Sequence, residues 1–190
     1  MNKRCPWPGE NTLMIEYHDK EWGVPLHDDR KIFEFMVLDA FQAGLSWSIV
    51  LKKREGFRKA FDNFDPEKIA RYSEKKIQKI LTNPEIIRNK LKVYSTVTNA
   101  KQFLKVQEEF GTFDKYIWQF TGGKTIHNKW KKTGEVPAKT KESDAMSKDL
   151  LQRGFKFVGS TICYAFMQAA GMVNDHMAYC TCYKKVKSGK

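Results

Sequence analysis

Two cysteines and two histidines stand as pairs near opposite ends of the chain. Thiolate sulfur and imidazole nitrogen are donors that zinc prefers, and four of them complete a tetrahedral site with no position left for water. His176 and Cys180 are four residues apart, a spacing that places both side chains on one face of a helix. With Cys5 and His18 as the second pair, the spacing predicts a structural zinc that joins the N- and C-terminal segments.

The cysteine pattern leaves alternatives open. Two buried thiols and two unrelated histidines would give the same pattern, and Cys182 is near enough in sequence to compete with Cys180 as a ligand. Cys163 lies in an apolar run, where a small buried side chain is the ordinary explanation. Four cysteines in 190 residues do not make a disulfide framework, and the first residues do not resemble a signal peptide. We therefore expect a reducing, cytoplasmic setting.

Aromatic residues concentrate around one unusual carboxylate. Asp39 lies between Leu38 and Ala40 in an apolar run, where burying a carboxylate is costly unless a partner or ligand compensates. Aromatic rings can stack a flat base, and a carboxylate can accept a hydrogen bond from the exocyclic amine of a flipped purine. The alternative is that the tryptophans belong to the core and Asp39 bonds a local backbone group. The residues of the candidate pocket are Tyr17, Trp22, Asp39 and Trp47.

The net charge of +12, from 34 Lys and Arg against 22 Asp and Glu, suits a polyanionic partner. Charge alone does not choose among DNA, RNA, an acidic membrane surface and a merely solvated basic face. No apolar stretch approaches the roughly 20 residues that a membrane-spanning helix needs, so we expect no span.

The elements that must position these residues are predicted to be helical, because helical signals recur and period-two alternation does not. We therefore predict an all-α fold with a single domain over residues 1–183 and a disordered basic tail over 184–190. The longest helical pattern covers residues 84–110, and residues 121–142 are predicted to form an exposed connection. The predicted helix starts are Asp28 or Asp29 for a central helix over 31–41, Ser46, Asp65 and Ser73.

A candidate helix-hairpin-helix lies near the C-terminus. A helix over 143–153 stops at Gly154, and a short turn reaches Gly159 before a second helix. Glycines allow a tight turn, and the amides of the following helix N-terminus can hold a phosphate without reading its base. Lys156 adds positive charge there. The alternative is an ordinary αα-hairpin packed into the core.

Several motifs in order along the chain resemble 3-methyladenine DNA glycosylase I, and together they span nearly the whole sequence. They are Tyr17-His18-Asp19 with Glu21-Trp22-Gly23, Phe41-Gln42-Ala43-Gly44-Leu45-Ser46-Trp47, Leu51-Lys52-Lys53-Arg54-Glu55, Arg153-Gly154-Phe155-Lys156-Phe157-Val158-Gly159 and Val173-Asn174-Asp175-His176.

The resemblance implies a helix-hairpin-helix superfamily fold and a structural zinc on the four residues named above. It also implies hydrolysis of the N-glycosidic bond of 3-methyladenine in alkylated double-stranded DNA, which leaves an abasic site. Methylation at N3 makes the purine cationic, so its departure as a neutral base needs no acid. Family members are understood to lack the catalytic aspartate of many related glycosylases, so binding and flipping carry much of the catalysis.

The resemblance also implies roles for single residues. Tyr17 and Trp47 stack the base, Trp22 lines the pocket, and Asp39 contacts the amino edge, which makes Asp39 the residue we assign as catalytic. The family usually has glutamate at this place, and an aspartate is one methylene shorter, so the contact is weakened or bridged by water. Leu45 is expected to fill the gap left by the flipped nucleotide. The phosphate contacts are assigned to Lys52, Lys53, Arg54, Gly154, Lys156 and Gly159.

We expect the protein to act as a monomer on alkylated DNA. The main alternative is a zinc-stabilised protein that binds damaged DNA without excision. A zinc hydrolase acting on a small molecule is a weaker option, because it requires one of the four ligands to be absent.

Overall fold

The computed structural model describes residues 3–189, and within that range the chain is mostly helical, which confirms the all-α prediction. A short parallel bridge joins β1 (Ile126–His127) to β2 (Val173–Asn174). No helix within the described range is both long and apolar enough to cross a bilayer. The helices are α1 (Thr12–Lys20), α2 (Asp29–Gln42), α3 (Trp47–Lys52), α4 (Arg54–Ala60), α5 (Pro66–Ala70), α6 (Glu74–Leu81), α7 (Lys90–Phe110), α8 (Phe113–Trp118), α9 (Lys141–Gln152), α10 (Ser160–Ala169) and α11 (Thr181–Ser188).

The predicted helix starts are confirmed. A polar side chain at the N-cap satisfies one of the amides that the first helical turn leaves unpaired. Asp28 accepts from the Lys31 amide at 2.9 Å, whereas Ser46 precedes α3 without a side-chain cap bond. The Asp65 and Ser73 side chains cap α5 and α6.

Two predicted boundaries are wrong. The pattern over 84–110 predicted one helix, but α7 begins at Lys90, because the Asn89 side chain caps it by accepting from the Lys92 amide at 3.1 Å. Residues 184–188 were expected to be disordered, yet they belong to α11, whose first turn is anchored by buried Cys182 and Tyr183. Lys190, the last residue of that predicted tail, lies outside the described residues.

Helix α2 is the central helix, as the sequence predicted, and every residue from Ile32 to Phe41 is buried. Helices α7, α8 and α10 pack around it, and α9 packs against α10 to form the predicted hairpin. A helix buried on all sides must place any acidic residue of its interior inside the core. Glu34 and Asp39 are both in that position.

The segment after α1 crosses the end of α10 at very short range. The Gly23 amide donates to the Gln168 carbonyl at 2.9 Å, and the Leu26 amide donates to the Ala170 carbonyl at 3.0 Å. Gly171 has φ +69°, and a Cβ built on it would lie 2.3 Å from the Val24 carbonyl carbon. Only glycine fits this crossing, which carries the chain from α1 to α2.

We expect Gly171→Ala to lower the free energy of unfolding by about 3 kcal/mol or more, because the added methyl collides with rigid backbone. The matched control is Gly123→Ala, since Gly123 has φ +73° but no atom within 4 Å of a built Cβ. That control bears only the left-handed backbone cost of about 1–2 kcal/mol. Urea unfolding of both variants measures the difference, and equal losses would contradict the close crossing.

Candidate active site and metal centre

Cys5, His18, His176 and Cys180 meet in the buried interior, with their four donor atoms within 4.8 Å of one another. The Cys180 sulfur lies 3.7 Å from His18 Nε2 and 3.8 Å from His176 Nδ1. The Cys5 sulfur lies 3.7 Å from His176 Nδ1. A tetrahedral metal with bonds of about 2.0–2.3 Å has donor separations of about 3.3–3.8 Å, so three of these distances match edges of such a site.

Both histidines direct their remaining nitrogen at an oxygen. His18 Nδ1 donates to the Asp19 carboxylate at 2.8 Å, and His176 Nε2 donates to the Trp22 carbonyl at 2.9 Å. The facing nitrogens, His18 Nε2 and His176 Nδ1, therefore present lone pairs to one another at 3.1 Å. Two lone pairs at this distance repel unless a cation lies between them, and this arrangement is typical of metal-ligating histidines. The residues fit a metal ion.

The Cys180 thiol is the one in this cluster whose surroundings favour ionisation. Hydrogen bonds from the Cys182 and Cys5 thiols lower the pKa of the Cys180 thiol, which favours the thiolate that a metal binds. Cys182 itself lies beside Asp19, with its sulfur 3.8 Å from the carboxylate, outside the four-donor group. The helical spacing inferred for His176 and Cys180 is wrong, because both lie in the turn between β2 and α11, and Cys180 is the N-cap residue of α11.

Next to this metal centre lies a cavity of about 250 Å³. Aromatic side chains wall much of it. The Tyr17 and Trp47 ring centroids are 5.2 Å apart, and those of Trp7 and Trp22 are 5.0 Å apart. The cavity is slightly smaller than the roughly 300 Å³ at which drug-sized pockets begin, so it suits one flat heterocycle. The lining residues with aromatic or acidic side chains are Trp7, Tyr17, Trp22, Asp39, Trp47 and Asp175.

Three unpaired polar atoms belong to the walls of this cavity. Among residues 3–189, four buried side-chain nitrogen or oxygen atoms lack a hydrogen-bond partner. Three of them are Asp39 Oδ2, Trp7 Nε1 and Trp47 Nε1, and all three residues line the cavity. Buried polar groups in native proteins are nearly always paired, so a cluster of unpaired ones points to a ligand that supplies the partners.

The Asp39 carboxyl differs from the other acid in α2. Glu34 is paired with Arg54 and Arg58, whose nitrogens lie 2.6 Å and 2.8 Å from its carboxylate. Asp39 has no such cation among residues 3–189, and burial raises its pKa well above the ordinary value. Burial therefore favours the protonated acid, and a positive group in the cavity would favour the carboxylate.

A second carboxylate in the cavity wall, Asp175, is fully paired. Its Oδ1 accepts from Asn128 Nδ2 and Trp130 Nε1, each at 2.7 Å, and its Oδ2 accepts from the Tyr164 hydroxyl at 2.7 Å and Gln168 Nε2 at 2.8 Å. These bonds hold the segment around Trp130 against the site. Asp175 therefore shapes the wall, while Asp39 retains the free acceptor.

The residues predicted to contact DNA are only partly available. Leu45 is 39% exposed in the loop after α2, and Lys52, Lys156 and Gly159 are exposed, with Gly159 preceding the first turn of α10. Lys53 Nζ donates to the Pro84 carbonyl at 2.7 Å. Arg54 is a correction: its guanidinium, 12% exposed, is held by Glu21 and Glu34, so protein carboxylates occupy the donors expected for phosphate.

Comparison with known proteins places this geometry in a family. The model of a family described as methyladenine glycosylase matches residues 7–183. The chain belongs to the methyladenine glycosylase family. A DNA-3-methyladenine glycosylase of Haemophilus influenzae is 47% identical over 182 residues, covering 96% of this chain and 98% of that protein. DNA-3-methyladenine glycosylase 1 of Escherichia coli is 44% identical over 181 residues, covering 95% of this chain and 97% of that protein.

Solved structures agree with this membership. A crystal structure of 3-methyladenine DNA glycosylase I superposes with a TM-score of 0.91 at 46% identity, covering 95% of this chain and 99% of that one. A variant of 3-methyladenine DNA glycosylase I in complex with 3-methyladenine has a TM-score of 0.91 at 32% identity, covering 94% of this chain and 96% of that one.

Within this methyladenine glycosylase fold, the four predicted pocket residues, Tyr17, Trp22, Asp39 and Trp47, do line one cavity. Trp7, which the sequence did not assign to the base pocket, is a further wall residue with an unpaired donor. Sequence reasoning missed Asp175, although Asp175 precedes the predicted ligand His176. The signal available for Asp175 was an acidic residue beside a metal ligand, a position where carboxylates often orient ligands or walls.

We expect Cys180→Ser to lower the metal content from about one ion per chain and to lower the free energy of unfolding by about 3 kcal/mol or more, since ligation contributes directly to folding. Elemental analysis and thermal unfolding measure both. Cys163→Ser is the control, because the Cys163 thiol is buried outside the cluster and donates to the Val158 carbonyl at 3.2 Å. Full metal occupancy in Cys180→Ser would remove Cys180 from the ligand set.

Proposed function

We propose that this protein excises 3-methyladenine from alkylated double-stranded DNA by hydrolysing the N-glycosidic bond of a base flipped into the aromatic cavity, leaving an abasic site. The observation that carries this proposal is the set of three unpaired buried atoms, on Asp39, Trp7 and Trp47, around one cavity. The printed functions of the relatives from Haemophilus influenzae and Escherichia coli support the same activity.

The polar atoms match what an adenine ring offers. An adenine presents an N6 amine as donor and the N7 ring nitrogen as acceptor. The Asp39 carboxylate accepts from the amine, and an indole N–H of Trp7 or Trp47 donates to a ring nitrogen. The rings of Tyr17 and Trp47 stack the base, Trp22 lines the cavity, and electron-rich aromatic faces attract its positive charge.

The chemistry asks little of an acid or a base. Methylation at N3 leaves the purine cationic in DNA, so it departs as a neutral base without protonation, and water completes the hydrolysis. Asp39 acts catalytically by holding the cation in the cavity and by becoming a carboxylate as it does so. Ordinary adenine carries no charge, so it gains neither this attraction nor a weakened bond to the sugar.

DNA binding uses elements beside the cavity, because Asp39 and Gln42 line both the cavity and the groove that contains Leu45. We assign Leu45 as the wedge that fills the gap left by the flipped nucleotide. The turn from Gly154 to Gly159, with Lys156, holds phosphates through amides and charge, and Lys52 and Lys53 extend that basic face. Arg54 remains with its internal carboxylates.

We propose zinc as the ion of the Cys and His cluster, because two thiolates and two imidazoles in a closed tetrahedral set are typical of structural zinc. A reducing cytoplasm keeps these cysteines as thiols. We also propose that residues 1–183 form one domain acting as a monomer, because cavity, wedge and hairpin all come from one chain.

A protein that binds alkylated DNA without excision is the second candidate, and the specific observation in its favour is Asp39. The family usually has glutamate there, and the shorter side chain weakens or lengthens the contact with the base. A zinc hydrolase acting on a small molecule is disfavoured, because the four donors leave no coordination position for water.

Release of free 3-methyladenine from methylated duplex DNA tests the excision proposal. We expect the purified protein to liberate methylpurine and to leave abasic sites that alkali converts to strand breaks. Unmethylated duplex of the same sequence is the control. Tight binding of methylated duplex without liberated base would replace excision with the damage-binding function.

We expect Asp39→Asn to lower the single-turnover excision rate on methylated duplex about tenfold, the cost of losing a charge-assisted hydrogen bond to the cationic base. The same variant is expected to unfold at a higher temperature at pH 7. The folded native protein disfavours ionisation of the Asp39 side chain, whereas the unfolded chain ionises it freely at this pH, and an amide side chain removes this difference. Single-turnover kinetics and thermal unfolding measure the two effects. A general folding defect moves both downward together, so a fall in both would reject the assigned role.

The same ionisation gives excision a pH dependence. Burial raises the Asp39 pKa in the free protein, and a bound cation favours the carboxylate, so binding the lesion releases a proton. The single-turnover excision rate should therefore rise with pH and level off above the raised pKa. In Asp39→Asn this rise should be absent. A rate that is independent of pH in the native protein would contradict the proposal that Asp39 is protonated before the base enters.

A further inference from the structure

Lys92 of α7 is a buried cation that has no acidic partner among residues 3–189. It is 5% exposed, and its Nζ donates to the main-chain carbonyls of Phe41 at 2.9 Å and Ala43 at 2.7 Å. Desolvation lowers the pKa of its ammonium, which is the cost of placing a lysine there. A buried lysine held only by two carbonyls requires a structural or functional reason.

The two carbonyls belong to the end of α2 and the loop that follows. The last carbonyls of a helix lack intrahelical partners and carry the negative end of the helix dipole, so an ammonium there is favourable. The loop then turns through Gly44, which has φ +80°, and presents Leu45 to solvent. Lys92 therefore fixes, from inside, the loop that carries the wedge.

Asn99 holds the second DNA-facing element from the same helix. It is buried, and its side-chain Nδ2 donates to the Lys156 carbonyl at 3.0 Å while its Oδ1 accepts from the Lys156 amide at 2.8 Å. These two hydrogen bonds to the main chain fix the turn between α9 and α10. Phe157, with φ +55°, follows in that turn, and its ring lies 5.9 Å from Lys92 Nζ.

Lys92 and Asn99 are seven residues apart, about two helical turns, so they lie on one side of α7. One rigid helix thus reaches both the loop of Leu45 and the turn of Lys156. The loop of Leu45 faces the helix that follows the hairpin turn, since Gly44 and Leu45 line a groove together with Thr161 of α10.

We propose that Lys92 and Asn99 are positioning residues that set the spacing between the Leu45 wedge and the phosphate-binding hairpin, so that one duplex engages both at once. This inference rests on the proposed function. Neither residue lines the base cavity. They act through Leu45 and Lys156, and a displacement of these elements of about 1 Å is enough to lower a rate up to about a hundredfold.

Lys92→Met keeps the apolar stem and removes the donors. We expect it to lower the single-turnover excision rate on methylated duplex by about tenfold or more, with affinity for free 3-methyladenine unchanged within about twofold. Asn99→Leu is expected chiefly to raise the duplex KM, because it loosens the hairpin rather than the wedge. Lys105→Met is the matched control, since Lys105 is an exposed lysine of the same helix, and it should behave as the native protein.

A double-mutant cycle with Leu45→Ala tests whether Lys92 acts through the wedge. If it does, Lys92→Met has little further effect on the rate once Leu45 is truncated, so the two losses are far from additive. Additive losses, an unchanged rate in Lys92→Met, or a parallel loss of rate and free-base affinity would each overturn the inference. Asn99→Leu with an unchanged duplex KM would overturn the hairpin half.

Wedge insertion is also measurable without chemistry. A duplex with an abasic analogue beside 2-aminopurine brightens when an apolar side chain unstacks the reporter, and we expect Lys92→Met to diminish this signal while Lys105→Met preserves it. The native protein could fail to release base while the fluorescence still differs between Lys92→Met and the native protein. That outcome would reject the excision proposal and retain the positioning role of Lys92. Equal signals in the three proteins would remove the positioning role.

Discussion

The site depends on one carboxyl group buried without a partner in the central helix. Asp39 lies in a stretch of α2 that is buried on every side, and no hydrogen bond satisfies its Oδ2 among residues 3–189. Five residues earlier the same helix buries Glu34 and pairs it with Arg54 and Arg58. The fold is thus able to neutralise an acid in α2 with arginine. At Asp39 it provides a cavity instead, so the compensating charge must come from a ligand.

The Cys and His cluster supports the walls of this cavity, although it takes no part in the proposed reaction. His176 Nε2 donates to the Trp22 carbonyl, and the Trp22 ring is 4.7 Å from the His176 ring and 5.0 Å from that of Trp7. The neighbouring Asp175 binds Asn128 and Trp130 on the other side. A metal ion held by Cys5 and His176 would therefore fix two walls at once. The proposed metal site would serve as a rigid support for the aromatic pocket.

Sequence was most informative where local chemistry decides structure, and least where distant contacts do. The cap at Asp28, the largely apolar central stretch of α2 and the hairpin around Gly154 follow from neighbouring residues, and the structure agrees. The ligand pair His176 and Cys180 was paired correctly for the wrong reason, because a turn rather than a helix brings them together. Arg54 looked like a free cation within a basic cluster, and only the fold reveals that Glu21 and Glu34 meet it. Lys92 carried no signal, since a lysine on a helix is ordinarily solvated.

A neutral acid explains selectivity better than a permanent carboxylate does. A carboxylate that is ionised before the base arrives would attract any hydrogen-bond donor, including the amine of ordinary adenine. Asp39 must lose its proton inside the core, and burial makes that loss unfavourable unless a cation offsets it. In the proposed mechanism a methylated purine supplies the cation, and an unmethylated one leaves the group protonated. On this proposal the cost of burying Asp39 is also the source of discrimination, because the ionised form of the site is favoured only with the charged base in place.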